Sequence, residues 1–264
     1  MMALVWRSFG RVKVLAAALA LVLIGLQLSI IAAASTYVDT GGFERLAQAM
    51  PPFVLQVMGP ALSSFRGMVL FAYVDPLIVM LIVQFAIYLA TEPAGDVESS
   101  LVDLVLARPV PRHWIVTRSL LVMMTGTALM SGAMYATTWV GLWWLAPPDA
   151  QWPDPGTAFS LSAHVSLIAV CFGSAALAAS GWARRRGAAV GAVAVIAITA
   201  YLVELLESIW APARDVARFS PFHYLDASGI LTGSAPGFRN LAVLGTIALA
   251  ATAVAYWQFS RRDL

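Results

Sequence analysis

Charge is scarce in this sequence: Asp, Glu, Lys and Arg make up 11% of its 264 residues, where soluble domains carry roughly 25%. Apolar residues make up 60%, and no water-soluble fold of this size could hide that much apolar surface. A single cysteine, Cys171, rules out an intrachain disulfide; it lies in an apolar run and reads as a small packing residue. The one lysine, Lys13, follows Val12 rather than glycine, so there is no G-x-x-x-x-G-K-[ST] phosphate loop. Any ATP-driven engine must therefore be a separate polypeptide. Three histidines, His113, His164 and His223, lack H-E-x-x-H spacing and fall at different depths and sides. They read as interfacial residues, neither metal ligands nor part of an intramembrane enzyme. The net charge of +2 comes with no basic reading helix, which gives no footing for nucleic acid. No internal repeat or low-complexity linker divides the chain, so residues 1–264 read as one transmembrane domain.

Long apolar runs are abundant. A helix crosses a bilayer with about 20 mostly apolar residues, and six stretches qualify: Val12–Tyr37, Gly67–Ala90, Ile115–Leu145, Ala158–Trp182, Gly187–Trp210 and Asn240–Phe259. The first also imitates a signal peptide, with basic residues before it and Ala32-Ala33-Ala34 near its end. Its apolar run exceeds the 7–15 residues of a signal core, so it is read as a retained span. Trp139, Trp143 and Trp144 suit an interfacial aromatic belt or, alternatively, a substrate path. Gly187 and Gly191 form a G-x-x-x-G pair, and Ala175, Ala179 and Gly181 add small residues that allow close helix packing.

Arginine sets the orientation. Arg7, Arg11, Lys13, Arg108, Arg112, Arg118, Arg184, Arg185, Arg186, Arg261 and Arg262 fall on one face; Arg45, Arg66, Arg214, Arg218 and Arg239 fall on the other. Positive charge stays inside, so both termini are expected in the cytoplasm, which requires an even number of spans.

Three carboxylates lie in or near the spans, where charge is costly and often functional: Asp75, Glu204 and Glu207. Helical rise puts Glu204 and Glu207 towards the outer interface and only Asp75 well inside the membrane. Asp75 is either a proton carrier or a partner of the helix kink at Pro76.

The loop between spans two and three carries the strongest signal. Val97, Leu101, Leu104 and Val105 recur at helical spacing, Pro93 suits a first turn, and Arg108-Pro109 supplies a basic end and a stop. Glu92, Asp96, Glu98 and Asp103 give this short amphipathic helix an acidic character that anionic lipid would repel. A protein-docking element is therefore expected, against the plain alternative of a solvated loop helix.

Glu92-x-x-Gly95, the amphipathic helix and Leu106-Ala107-Arg108-Pro109-Val110-Pro111-Arg112 together resemble the coupling loop of type-2 ATP-binding-cassette (ABC) exporter permeases. Ser220-Pro221-Phe222-His223-Tyr224-Leu225-Asp226, with Gly229 to Gly233 after it, is similar to that family's outer loop before the last span. The ending Phe259-Ser260-Arg261-Arg262-Asp263-Leu264 and Asp75-Pro76 also fit. The outer segment between Val38 and Arg66 is longer than in the shortest members and could be a lid, a re-entrant turn or a docking site.

The resemblance implies an all-α integral membrane permease in the cytoplasmic membrane, with six spans, a cytoplasmic coupling helix between spans two and three, and a re-entrant outer segment before span six. It further implies a homodimer, or pseudo-symmetric pair, with separate nucleotide-binding ATPase subunits carrying ATP and Mg. This chain would itself bind no cofactor. The coupling loop would comprise Glu92, Gly95, Asp96, Glu98, Leu101, Asp103, Leu104, Arg108, Pro109 and Arg112. Ser220, Pro221, Phe222, Tyr224, Asp226, Gly229 and Gly233 would belong to an outer gate, and Trp6–Lys13 would form a short interfacial helix. The alternative is a secondary, proton-coupled transporter with no ATPase partner.

Overall fold

The computed structural model describes residues 2–40, 42–49, 64–99, 113–183, 185–207, 210–225 and 237–261, and every regular element among them is helical. In order these are α1 (Met2–Thr40), α2 (Gly42–Ala49), α3 (Phe65–Phe71), α4 (Pro76–Ala90), α5 (Glu92–Glu98), α6 (His113–Leu145), α7 (Pro155–Ser180), α8 (Arg186–Glu207), α9 (Ala211–Ala217), a 3₁₀ turn (Pro221–Leu225) and α10 (Phe238–Arg261). Six stretches are long and apolar enough to cross a membrane: Gly10–Val38, Phe65–Ala90, His113–Leu145, Pro155–Ser180, Arg186–Glu207 and Phe238–Arg261. They match the six runs read from the sequence to within a few residues. The chain is a multi-pass membrane protein.

α7 is the axis of the bundle. It packs against α10, α4, α6 and α8, while α1 lies along α6. Apart from Gln84, α4 is apolar along its length and buried on nearly every side, from Ile78 and Val79 through Ile82, Val83, Phe85, Ala86 and Ile87 to Leu89 and Ala90, as befits a helix enclosed by others. Two glycines bring these helices together. A Cβ on Gly173 of α7 would overlap Met123 Sδ of α6, and one on Gly126 of α6 would overlap Leu89 Cδ1 of α4. By contrast, Gly187 and Gly191 have nothing within 4 Å, so the G-x-x-x-G pair faces away from the bundle.

Span two is broken rather than continuous. Tight turns at Tyr73 and Val74 end α3, and Asp75 then caps α4 by accepting from the backbone N–H groups of Leu77 (2.9 Å) and Ile78 (3.3 Å). Pro76, with φ preset and no N–H to lose, occupies the first helical turn. Irregular backbone at membrane depth needs internal partners. Here the Tyr73 hydroxyl meets Thr138 Oγ1 (2.6 Å), which also accepts from Gln27 Nε2 (3.0 Å), linking α1, the break and α6.

α1 differs from expectation at its start. Trp6–Lys13 is not a separate interfacial helix but the opening turns of one 39-residue helix. No proline precedes Pro51, and Gly10 alone does not break the ladder. Trp143 and Trp144 are strongly exposed at the end of α6, where an aromatic belt would lie, whereas Trp139 packs against Tyr135 and Trp152. Cys171 is buried and its thiol donates to Leu244 O (3.1 Å). In the outer segment α2 is described, and residues 50–63 lie outside the described residues.

Candidate functional site

Among the described residues, four ion pairs of two arginines with two carboxylates gather at α5. Thr91 ends α4, Glu92 and Pro93 open α5, and Glu92 and Asp96 stand four residues apart on the same face. Both carboxylates are buried. Asp96 accepts from Arg118 Nη2 of α6 at 2.5 Å and from Arg11 Nη1 of α1 at 3.2 Å. Glu92 lies 3.7 Å from Arg118 and 3.6 Å from Arg11, and Ser8 Oγ donates to it at 2.7 Å. Two guanidinium groups thus neutralise two carboxylates. Arg118 is 8% exposed, while the Arg11 side chain is 41% exposed, so Arg118 is the cation committed to the interior.

A third arginine holds the other side of α5. Arg186, at the start of α8, donates from Nη2 to Tyr88 O (2.7 Å) and from Nε to Thr91 Oγ1 (3.4 Å), and its guanidinium lies 3.9 Å over the Tyr88 ring. Its own backbone N–H is capped by Glu98 Oε2 (3.0 Å). Gly95 leaves room for this: a Cβ there would come within 3.1 Å of Arg186 Cδ. Polar contacts therefore bind α5 to α1, α6 and α8, in addition to its chain connection to α4.

This arrangement corrects one argument made from sequence. The four acids of the loop do not form a free acidic face, because Glu92 and Asp96 turn inward to arginines of the same chain. Glu98 is exposed but engaged at Arg186. The other residues assigned to the coupling loop, Leu101, Asp103, Leu104, Arg108, Pro109 and Arg112, lie outside the described residues. Sequence reading placed Arg11, Arg118 and Arg186 on one side but missed their pairing. The four-residue spacing of Glu92 and Asp96 at a membrane boundary was the available signal.

At the opposite end of the bundle the chain leaves α8, forms α9 and folds back. Ser220 Oγ donates to Ala200 O (3.3 Å), and the Phe222 ring packs 5.2 Å from both Phe172 and Tyr201. Phe172 lies about 25 Å along α7 from Pro155 at 1.5 Å per residue, so the 3₁₀ turn is inset deeply beside α7. Pro221 begins that turn, and the Tyr224 hydroxyl donates to Arg218 O (3.1 Å). Asp226, Gly229 and Gly233 lie outside the described residues.

The fold-back brings together residues that the sequence reading kept apart. His223 Nδ1 stands 3.2 Å from Glu207 Oε2 and 3.7 Å from Glu204 Oε1. Glu204 and Glu207 share one face of α8 by their i, i+3 spacing. Asp75 is remote in role as well as in sequence, since one of its oxygens serves as the α4 cap. His164 is buried, with Nδ1 2.7 Å from Ser160 O, and His113 is exposed.

No protein-family model matches this chain, and no curated protein matches it in sequence.

Proposed function

We propose that this chain is the membrane-spanning permease subunit of an ATP-driven ABC exporter, working with separate ATPase subunits that hold ATP and Mg. The observation that carries the reading is the tethering of α5 to three spans besides the one it continues. A force applied to α5 is shared at once by α1, α6 and α8, as a coupling element between engine and membrane path requires. The arginines of this end include most of those counted on one side of the sequence, so the positive-inside rule makes it the cytoplasmic face.

On this reading the docking surface lies beyond Ser99, in the stretch with Leu101, Asp103 and Leu104, while Glu92 and Asp96 transmit movement inward. The inset turn with Ser220, Pro221, Phe222 and Tyr224 belongs to the outer gate, together with Asp226, Gly229 and Gly233. The open Gly187–Gly191 face of α8 supports a close seam with a second copy. Nucleotide-driven closure of the ATPases presses α5, the two permeases rock, and the path alternates between the two faces of the cytoplasmic membrane.

The test is co-purification of the tagged full chain from gently solubilised native membranes, scored by Mg-dependent ATP hydrolysis and compared with Asp103→Lys. An ATPase that accompanies the native chain and is lost with the variant is the expected result. Native chain recovered intact without ATPase activity would overturn the proposal.

A further inference from the structure

Glu204, Glu207 and His223 each offer one ligand atom, and the three atoms lie within 4.8 Å of one another. All three side chains are partly sheltered yet accessible from solution. The two carboxylates come from one face of α8; the imidazole comes from the 3₁₀ turn inset beside it.

Hydrogen bonding within the trio leaves it unbalanced. His223 Nδ1 faces both Glu207 at 3.2 Å and Glu204 at 3.7 Å, and one N–H can serve only one of them well. Glu204 Oε2 is closed off from solvent and has no hydrogen-bond partner, although an unpartnered carboxylate oxygen is expensive away from water. Among the described residues no arginine or lysine pairs with either glutamate. Two carboxylates thus face one imidazole, and a dication held among them would engage an oxygen of each together with the ring nitrogen.

We propose that Glu204, Glu207 and His223 form a binding site for a first-row divalent cation of zinc type, which fastens the outer end of α8 to the inset 3₁₀ turn. One nitrogen and two carboxylate oxygens are the mixed donor set that borderline cations accept, with the fourth position left to water. Ligand atoms around one Zn²⁺ at about 2.1 Å sit roughly 3.4 Å apart in a tetrahedron. The observed nitrogen–oxygen separations of 3.2 and 3.7 Å bracket that value, and no two of the three ligand atoms are more than 4.8 Å apart. Nδ1 faces the metal, which leaves Nε2 of His223 free to carry the ring proton. The assignment stands apart from the transport reading: it requires no ATPase and no particular cargo.

The test uses the purified full chain in detergent, stripped with chelator and titrated with Zn²⁺ against a chromophoric competitor, then with Co²⁺ for its visible spectrum. We expect one Zn²⁺ per chain and a Co²⁺ spectrum of nitrogen–oxygen ligation without sulfur. Loss of a supporting partner around a metal typically weakens binding 10–100-fold, so losing a ligand in His223→Gln or Glu207→Gln should weaken it about 100-fold or more. His113→Gln, remote from the trio, should bind as the native chain does. All three variants are first checked for native elution, and the titration of the unaltered chain is decisive by itself. Failure of the native chain to bind one equivalent overturns the proposal, as does tight binding that persists in both His223→Gln and Glu207→Gln.

Discussion

Replacing Arg118 with methionine removes the buried cation from a cluster whose formal charges otherwise cancel. In the native chain Arg11 and Arg118 face Glu92 and Asp96; in Arg118→Met the two buried carboxylates share Arg11 alone, whose side chain is 41% exposed. Taking one partner from a buried ion pair leaves an uncompensated charge and costs about 3–5 kcal/mol. For a chain of this size each kcal/mol shifts Tm by about 2–4 °C, so the variant should melt roughly 6–20 °C lower. Intrinsic tryptophan fluorescence of the purified chain reads this directly. Arg11→Met is the internal control: it also removes a cation, but one 41% exposed whose place water can take, and it should cost less than Arg118→Met. Arg118→Met/Asp96→Asn restores the balance of one cation and one anion, and coupling between contacting residues should return about 1–3 kcal/mol. The reasoning fails if Arg118→Met is no worse than Arg11→Met, or if removing the Asp96 charge deepens the loss instead of relieving it.

Two further outcomes follow from the helix ends. Arg186→Lys keeps the charge but loses the planar fork that reaches Tyr88 O and Thr91 while stacking on the Tyr88 ring; unfolding titrations should show a loss of about 1–2 kcal/mol. Asp154 accepts from the Thr157 N–H at 2.8 Å and from its hydroxyl at 3.1 Å, and these bonds, the backbone one first, hold its carboxyl below the usual value. A depressed value in the folded chain means the cap stabilises α7 above the ordinary carboxylate range and is lost as pH falls through the depressed one. Amide exchange at Thr157 should therefore be faster in Asp154→Ala at neutral pH, and native and variant protection should converge in acid. Equal protection at neutral pH would show that the cap does not hold this helix end.

The spans were legible because length and apolarity alone select them: lipid accepts a run of about 20 apolar residues whatever their order. The break in span two was only partly legible. Asp75-Pro76 marks it, but the irregular turn is made tolerable by Tyr73, Thr138 and Gln27, which come from three separate stretches. Charge was legible as side and not as partnership. Arg118 read as one more inside-facing cation, although its position at the mouth of α6 commits it to Asp96. A lone amphipathic helix shows its polar side to water, which predicts an outward face for Glu92 and Asp96, whereas here that side meets arginines of neighbouring helices. The trio of Glu204, Glu207 and His223 escapes sequence reading for a similar reason. Glu204 and Glu207 announce a shared face by spacing, but only the fold-back at Ser220 carries His223 to it.

The two ends of the bundle are held by different physics, and this bears on which of them can move. Between apolar helices in lipid there is no hydrophobic drive to association, so packing and polar contacts decide their positions. At the arginine-rich end, directional ion pairs lock α5 to α1 and α6, with charges matched within the chain. Separating those helices would strand buried charge, so they must shift together as a unit around α5. At the other end, Phe222 fits between Phe172 and Tyr201 through non-directional ring contacts, and among the described residues no arginine or lysine pairs with the carboxylates of α8. On the transport reading proposed above, movement imposed on α5 would be shared by the helices bound to it and taken up where the 3₁₀ turn meets α8. A cation at Glu204, Glu207 and His223 would stiffen the part of the bundle that the protein's own charges leave loose.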